Sequence, residues 1–151
     1  MNKININICL LDNAVGDPHY ASKDAAGIDI SAGISENIII RKNTYSLIPS
    51  GFRIEIPEGF EGQVRPRSGL ALKNGLTVLN SPGTIDSDYR GEVKVLVINL
   101  GKADFIILPG MRIAQLIISP VIKANIQFVD KLETQSSRGG KGFGSTGIKA
   151  K

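Results

Sequence analysis

Two arginines, a serine and a glycine stand close together where the sequence predicts the start of a short helix. They are Arg65, Arg67, Ser68 and Gly69, with Ser68 as the candidate N-cap, and an Asn74-Gly75 pair marks the end of the helix. The first N–H groups of a helix lack partners within it, and arginine binds phosphate oxygens through two donors at once. The segment therefore predicts an anion-binding site, and the alternative is a capped helix with arginines on its solvent face.

A long polar turn between two apolar segments carries the second group of candidate residues. It runs from Asn80 to Glu92 and includes Asp86, Asp88 and Tyr89. Such a turn presents backbone N–H and C=O groups to a ligand, the Asn80 amide can both donate and accept, and the tyrosine ring offers a flat face to a sugar. The turn predicts a site that reads a nucleobase, and the alternative is an ordinary turn with an Asx contact at Asp86.

Short strands are predicted on both sides of these two segments. Apolar residues alternate with polar ones over 4–8, 52–56 and 93–97, which is the pattern of half-buried strands. Turn signals such as Pro57-Glu58-Gly59 separate the strands at the spacing of a sandwich or barrel. We therefore expect an all-β fold with one short helix, over 68–73.

The composition limits the classes of protein and ligand that fit. The 151 residues suit a single domain, and no apolar run approaches the roughly 20 residues that a membrane span requires. The net charge is +4, and the basic residues are dispersed apart from some clustering in the tail and around Arg65 to Lys73, which favours a small anionic ligand over a nucleic acid. Five Phe, three Tyr and no Trp also argue against a nucleic-acid-binding barrel. A merely basic surface is the alternative for the charge.

The sequence has one cysteine, Cys9, and one histidine, His19. A single cysteine cannot form an internal disulfide, and a single histidine excludes a multi-histidine zinc site within one chain. The first residues alternate in polarity instead of forming the apolar block of a signal peptide. We therefore expect a cytoplasmic protein.

The sequence changes character near its C-terminus. From Thr134 onward Gln, Ser, Gly and Thr dominate, and Phe143 and Ile148 are the only large apolar residues. Two such side chains cannot hold a segment folded by burial. We expect a domain over 1–133 and a flexible tail over 134–151 that closes over a site.

Taken together, these segments resemble the five motifs of the trimeric dUTP diphosphatase (dUTPase) family, in the family's order and over nearly the whole chain. The motifs are AAGIDISA at 25–32, RPRSGLA at 65–71, the turn at 80–91, GMRIAQL at 110–116 and RGGKGFGSTG at 138–147. The resemblance implies a β-barrel or jelly-roll-like domain with one short helix and a Gly-rich tail. It also implies a homotrimer in which the tail of one subunit covers a site formed by the two others.

The resemblance further implies hydrolysis of dUTP to dUMP and pyrophosphate by attack of water on the α-phosphate, which keeps uracil out of DNA and supplies dUMP for thymidylate synthesis. Asp86 would orient and deprotonate the water. Asp29 would hold waters of a Mg²⁺ ion bound to the three phosphates.

The same resemblance assigns substrate contacts. The triphosphate would be held by Arg67, Ser68, Gly69 and Gln115, and the base and deoxyribose by Asn80, Thr84, Ile85, Tyr89 and Lys94. The tail would add Phe143 and Gly144 over the uracil and Arg138, Ser145 and Thr146 at the γ-phosphate.

Two other functions are alternatives to dUTP hydrolysis. A dCTP deaminase on the same fold carries a different arginine-serine motif and a catalytic glutamate at the helix, where this chain has PRSGLA over 66–71. A nucleotide-binding module without turnover is the second alternative, and retention of Asp29, Asp86 and Gln115 argues against it.

Overall fold

Short antiparallel β-strands make up most of the chain. This computed structural model describes residues 3–132, 136 and 138–142, and within them it contains ten strands and one helix. In chain order these are β1 (Asn7–Leu10), β2 (Ile28–Ser31), β3 (Ile38–Ile40), β4 (Tyr45–Glu55), β5 (Phe60–Pro66), α1 (Ser68–Asn74), β6 (Leu76–Val78), β7 (Gly83–Ile85), β8 (Glu92–Asn99), β9 (Phe105–Ile107) and β10 (Arg112–Pro120). The prediction of an all-β fold with one short helix is confirmed.

The strands form two four-stranded sheets and one two-stranded sheet. The first sheet has the order β1-β4-β8-β6, the second has the order β2-β10-β5-β7, and β3 pairs with β9. All the strand pairs are antiparallel. The second sheet matters most for function, because β5 leads directly into α1 and β10 lies between β2 and β5.

The core lies between the inner faces of the two large sheets. In β4, Phe52 and Ile54 are buried while Arg53 is exposed, and in β8 the apolar residues over 93–97 are buried on alternate positions. Each buried side chain of this size contributes about 1.5–3 kcal/mol relative to an exposed one. Both predicted strand patterns are confirmed.

The alternating pattern at the N-terminus is only partly a strand. Strand β1 starts at Asn7, and Ile4 lies before it with 37% of its surface exposed. Strand β1 is an edge strand that pairs with β4 alone, so alternation there has less sheet to pack against. Ile6 and Ile8 are partly buried against the core, which is what the pattern predicted.

Helix α1 ends as predicted and begins differently. Gly75 adopts the left-handed conformation at φ 69°, and its N–H donates to the carbonyl of Ala71, which closes the helix. The prediction of Ser68 as the N-cap is wrong, because Ser68 is the first helical residue and the N-cap is Arg67. Arg67 is still extended where the chain leaves β5, and its side chain contacts Asp29 instead of the helix.

The chain after β10 carries its apolar side chains outward. Over 121–132 it forms neither helix nor strand, and large apolar residues there are exposed, including Ile122, Ile126, Phe128 and Leu132. We call this stretch the C-terminal arm. No helix in the described part of the chain is both long and apolar enough to pass through a membrane. Most of the predicted tail over 134–151 lies outside the described residues.

Candidate functional site

A cleft of about 510 Å³ gathers many of the candidate phosphate-binding residues. Its lining includes Asp29 from β2, Arg67, Ser68 and Gly69 at the start of α1, and Gln115 from β10. The sheet register explains the gathering, because Gln115 is the Cα partner of Asp29. Directly paired residues in antiparallel strands point to the same face. The fold thus brings these predicted residues together.

Asp29 lies between two arginines. Its Oδ1 is 3.3 Å from Nε of Arg67, and its Oδ2 accepts a hydrogen bond from Nη1 of Arg112 at 2.9 Å. Nη1 of Arg67 also donates to the backbone carbonyl of Arg112 at 3.2 Å. The Asp29 side chain is only 10% exposed, so this carboxylate is held within a charged network. The two arginines outnumber the single carboxylate, so the net charge of the network is positive, which favours binding of an anion beside it.

Arg112 is a residue of this network to which the sequence assigned no role. It belongs to the motif at 110–116, but nothing in the sequence indicated that it would contact Asp29, 83 positions earlier. The contact depends on the pairing of β10 with β2, in which Arg112 is the partner of Ser31 and a register shift follows. The sequence signal for this role is that a basic residue stands within the motif at 110–116.

The first turn of α1 is open to a ligand. It has no side-chain cap and no acidic residue, so its N–H groups and partial positive charge are not neutralised locally. A Cβ added at Gly69 would meet nothing within 4 Å, which shows that the space beside this backbone is free. A group with several oxygens can approach the backbone here.

Gln115 is fixed by the backbone around it. Its Nε2 donates to the carbonyl of Pro66 at 3.0 Å, which leaves the second amide hydrogen for a ligand. A Cβ at Gly27 would collide with Oε1 of Gln115, so glycine at 27 is what allows the amide to lie there. The side chain is therefore oriented before any ligand arrives.

Asp86 lies in a different cleft, of about 760 Å³. Strand β7 pairs with β5 so that Ile85 is the partner of Gly62, which places Asp86 beside Glu61 at the start of β5. Arg67 follows the other end of β5. At about 3.3 Å for each of the six steps from residue 61 to residue 67, Asp86 and Arg67 are roughly 20 Å apart. Within one chain the structure does not bring them together.

The turn that carries Asp86 is held by contacts of Tyr89 and Arg90. The Tyr89 hydroxyl donates to the carbonyl of Glu92 at 2.9 Å, and a Cβ at Gly91 would lie 2.6 Å from Cζ of the Tyr89 ring. Nη1 of Arg90 donates to the carbonyls of Ser87 and Tyr89 at 2.7 and 2.9 Å. Glycine at 91 thus leaves room for the hydroxyl end of the ring beside the backbone.

The remaining candidates of this turn differ in what they can offer a ligand. The side chain of Thr84 is exposed and that of Ile85 is buried in the core, so Ile85 can contact a ligand through its backbone. The Asn80 amide lies beside Gly83, where an added Cβ would be 3.0 Å from Nδ2. Lys94 is on β8, with its Nζ 3.8 Å from Oε2 of Glu92.

The structure describes one of the five tail candidates. Arg138 lies in an exposed turn, and its Nε donates to the carbonyl of Lys141 at 2.7 Å. The predictions for Phe143, Gly144, Ser145 and Thr146 fall outside the described residues.

Comparison with known proteins gives one family throughout. The family described as dUTPase matches residues 13–147. The deoxyuridine 5'-triphosphate nucleotidohydrolase of Chlamydia pneumoniae is 54% identical over 139 residues, covering 92% of this chain and 96% of the relative. The enzyme of the same name from Rhizobium johnstonii is 53% identical over 147 residues, covering 95% and 94%.

Solved structures agree with the sequence relatives. The dUTPase of Staphylococcus bacteriophage 80alpha, solved with dUPNHPP, superposes with a TM-score of 0.86 at 28% identity. The match covers 97% of this chain and all of that one.

Proposed function

The chain belongs to the dUTPase family and hydrolyses dUTP to dUMP and pyrophosphate, and from that premise we propose how its own residues carry out the reaction. The observation that carries the proposal is the cleft that joins Asp29, Arg67, Ser68, Gly69 and Gln115. It offers the Arg67 guanidinium, free backbone N–H groups and an oriented amide in one place, which is what a triphosphate requires.

The cleft binds the three phosphates. Arg67 and the open first turn of α1 supply N–H donors, Ser68 supplies a hydroxyl, and Gly69 lets the backbone come close to the oxygens. The free hydrogen of the Gln115 amide donates to a phosphate oxygen beside the bond that breaks. Because these donors are already in place, little reorganisation is needed when charge develops.

The turn from Asn80 to Glu92 binds the nucleoside. The Asn80 amide and the backbone near Thr84 and Ile85 pair with the uracil edge, and Tyr89 packs on the deoxyribose, with Lys94 nearby. A ring held on Gly91 leaves no space for a ribose 2′-hydroxyl. A different base would leave polar groups of the site without partners, and a larger nucleotide would be excluded sterically. Both effects give selectivity for dUTP.

Asp86 is the base. Its exposed carboxylate orients a water and accepts the proton as the water oxygen bonds to the α-phosphorus. The bond from that phosphorus to the oxygen bridging the α- and β-phosphates breaks, and pyrophosphate leaves. Positioning and charge neutralisation supply most of the rate in such phosphoryl chemistry.

The cleft suits a Mg²⁺ ion carried by the triphosphate. Among the described residues no group of three His, Cys, Asp or Glu side chains could hold a metal by itself. Each oxygen of Asp29 contacts one arginine, so lone pairs remain on both for metal-bound water. Asp29 would hold the waters of the ion, and the ion would supply positive charge to the phosphates.

Three chains build the sites of a homotrimer. The separation of Asp86 from Arg67 supports this, because a base and the phosphorus attacked by its water are about two hydrogen-bond lengths apart, roughly 6 Å. One chain gives the nucleoside turn with Asp86, and a second gives the phosphate cleft. The exposed apolar residues of the C-terminal arm supply the surface for association.

The tail of the third chain closes the site. Arg138, Ser145 and Thr146 bind the γ-phosphate, and Phe143 stacks on the uracil next to Gly144, so that closure expels water and reads the full triphosphate. We assign the domain to 1–133 and the closing tail to 134–151. The reaction keeps uracil out of DNA and supplies dUMP for thymidylate synthesis, and we place it in the cytoplasm, where the deoxynucleotide pool is.

The experiment is pyrophosphate release from dUTP, UTP, dTTP and dCTP in the presence of Mg²⁺, with ammonia followed in parallel. Release from dUTP alone is the expected result. Ammonia from dCTP would assign the chain to the deaminases instead. Binding of dUTP without release of pyrophosphate would make it a nucleotide-binding module.

A further inference from the structure

The Glu92 carboxylate connects three separate parts of the chain. Its Oε1 accepts hydrogen bonds from the backbone N–H of Gly51 at 3.0 Å and from Nδ2 of Asn13 at 3.1 Å. Nδ2 of Asn13 donates in turn to the carbonyl of Gly33 at 2.8 Å. The Glu92 side chain is 17% exposed; its contact with Gly51 is partly buried, and its contact with Asn13 lies at the surface. A glutamate at a fully solvated strand end would interact with water and would not make these contacts.

The segments that Glu92 contacts are closely packed. Gly51 lies at the register shift in β4 with φ 78°, and an added Cβ there would collide with Ala14. A Cβ added at Gly33 would be 2.6 Å from the backbone nitrogen of Gly51. These close backbone approaches leave little freedom for the donors. The position of Glu92 is therefore fixed by the body of the domain.

Glu92 also contacts two candidate nucleotide-binding residues. Its backbone carbonyl accepts the hydroxyl of Tyr89 at 2.9 Å, and its Oε2 is 3.8 Å from Nζ of Lys94. The first contact fixes the hydroxyl of Tyr89, and Gly91 leaves room for that end of the ring. Glu92 thus connects the packed body of the domain to the side chains of Tyr89 and Lys94.

We propose that Glu92 is a positioning residue that sets the sugar selectivity of the site by holding Tyr89 in place. The proposal rests on the proposed function. Exclusion of a 2′-hydroxyl requires a side chain that keeps its position, because a steric clash rejects a ligand only if the clashing group cannot move away. Oε1 holds Glu92 against Gly51 and Asn13. The backbone carbonyl of Glu92 in turn holds the Tyr89 hydroxyl in position. Oε2 separately orients Lys94.

The test measures kcat/KM for dUTP and for UTP in the wild-type protein, in Glu92→Ala and in Glu92→Gln. The alanine variant loses both Oε1 contacts, and its dUTP-to-UTP ratio is expected to fall by about tenfold or more. The glutamine variant keeps an acceptor at Oε1 and is expected to retain the ratio, while KM for dUTP rises severalfold because an amide nitrogen faces Lys94. Glu36→Ala, at an exposed loop residue, is the matched control and should change neither value.

Each outcome decides the proposal. An unchanged ratio in Glu92→Ala would overturn it, and so would an equal fall of kcat/KM for both nucleotides. If Glu92→Ala does not fold, Asn13→Ala removes one of the two donors and is expected to lower the ratio by a smaller factor, and an unchanged ratio there would also overturn it. A wild-type protein inactive on both nucleotides would overturn the proposed function itself. An active wild type together with a Glu92→Ala variant of unchanged dUTP-to-UTP ratio would overturn only the role of Glu92.

Discussion

Asp86 and Arg67 lie at opposite ends of the same strand, β5, roughly 20 Å apart along its length. Asp86 is placed beside Glu61 by the pairing of β7 with β5, and Arg67 follows Pro66 directly. The chain therefore separates the proposed base from the proposed phosphate-binding residues. In the proposed trimer these two groups therefore come from different subunits.

Replacement of the base tests the role of Asp86. We expect Asp86→Asn to bind dUTP nearly as well as the wild type and to lose about 10²–10⁴-fold in kcat, because the amide cannot accept the proton from water. Asp88→Asn changes an exposed carboxylate two positions later and is the control, with activity near that of the wild type. Steady-state kinetics and equilibrium binding separate the two effects. Equal losses of dUTP binding and kcat in Asp86→Asn would contradict the assignment.

A methyl group at Gly69 tests the approach of phosphates to α1. Nothing lies within 4 Å of an added Cβ, so Gly69→Ala should fold with an unchanged melting temperature. The methyl group enters the space assigned to phosphate oxygens, so KM for dUTP should rise by about tenfold or more. Gly33→Ala is the opposite control, since its Cβ would be 2.6 Å from the nitrogen of Gly51 and should lower the melting temperature. A normal KM in Gly69→Ala would place the phosphates elsewhere.

The sequence predicts local strand patterns but not contacts between segments that are distant along the chain. Strands β4 and β8 were predictable because their alternation is local and each has one face on the core. The N-cap was mispredicted because Arg67 takes its conformation from the end of β5 and its contact from Asp29, 38 positions away. The contact of Arg112 with Asp29 and the separation of Asp86 from Arg67 depend on strand register, which no local pattern encodes.

Removal of the charge at Asp29 tests the arginine network. Asp29→Ala leaves Arg67 and Arg112 without their shared carboxylate, and a lost hydrogen bond to a charged group of this kind costs about 1–3 kcal/mol in the free energy of unfolding. Because the guanidinium of Arg67 is then free to turn away, KM for dUTP should also rise. Denaturant unfolding and kinetics measure the two effects, and Asp24→Ala at an exposed position is the control. An unchanged unfolding curve would mean that the network does not stabilise the fold.

A charge in the C-terminal arm tests its role in association. Phe128 is 97% exposed in the single chain, so Phe128→Glu should leave the domain folded. Burial against a neighbouring subunit would make the same change costly, and the variant should be smaller than the wild type in light scattering and poorly active. Lys131→Glu, also in the arm but already polar, is the control. A Phe128→Glu protein of wild-type size would assign the subunit interface to another surface.

The sharing of sites between subunits is tested most directly by mixing two inactive variants. Asp86→Asn and Arg67→Ala should each be nearly inactive alone. If sites are shared as proposed, co-expression should give mixed trimers in which an intact Asp86 of one subunit meets an intact Arg67 of another. With random assembly about one site in four receives both intact residues, so the mixture should recover about a quarter of the wild-type rate of dUTP hydrolysis. A mixture that stays as inactive as its separate components would show that each chain builds its site alone, and would contradict this account.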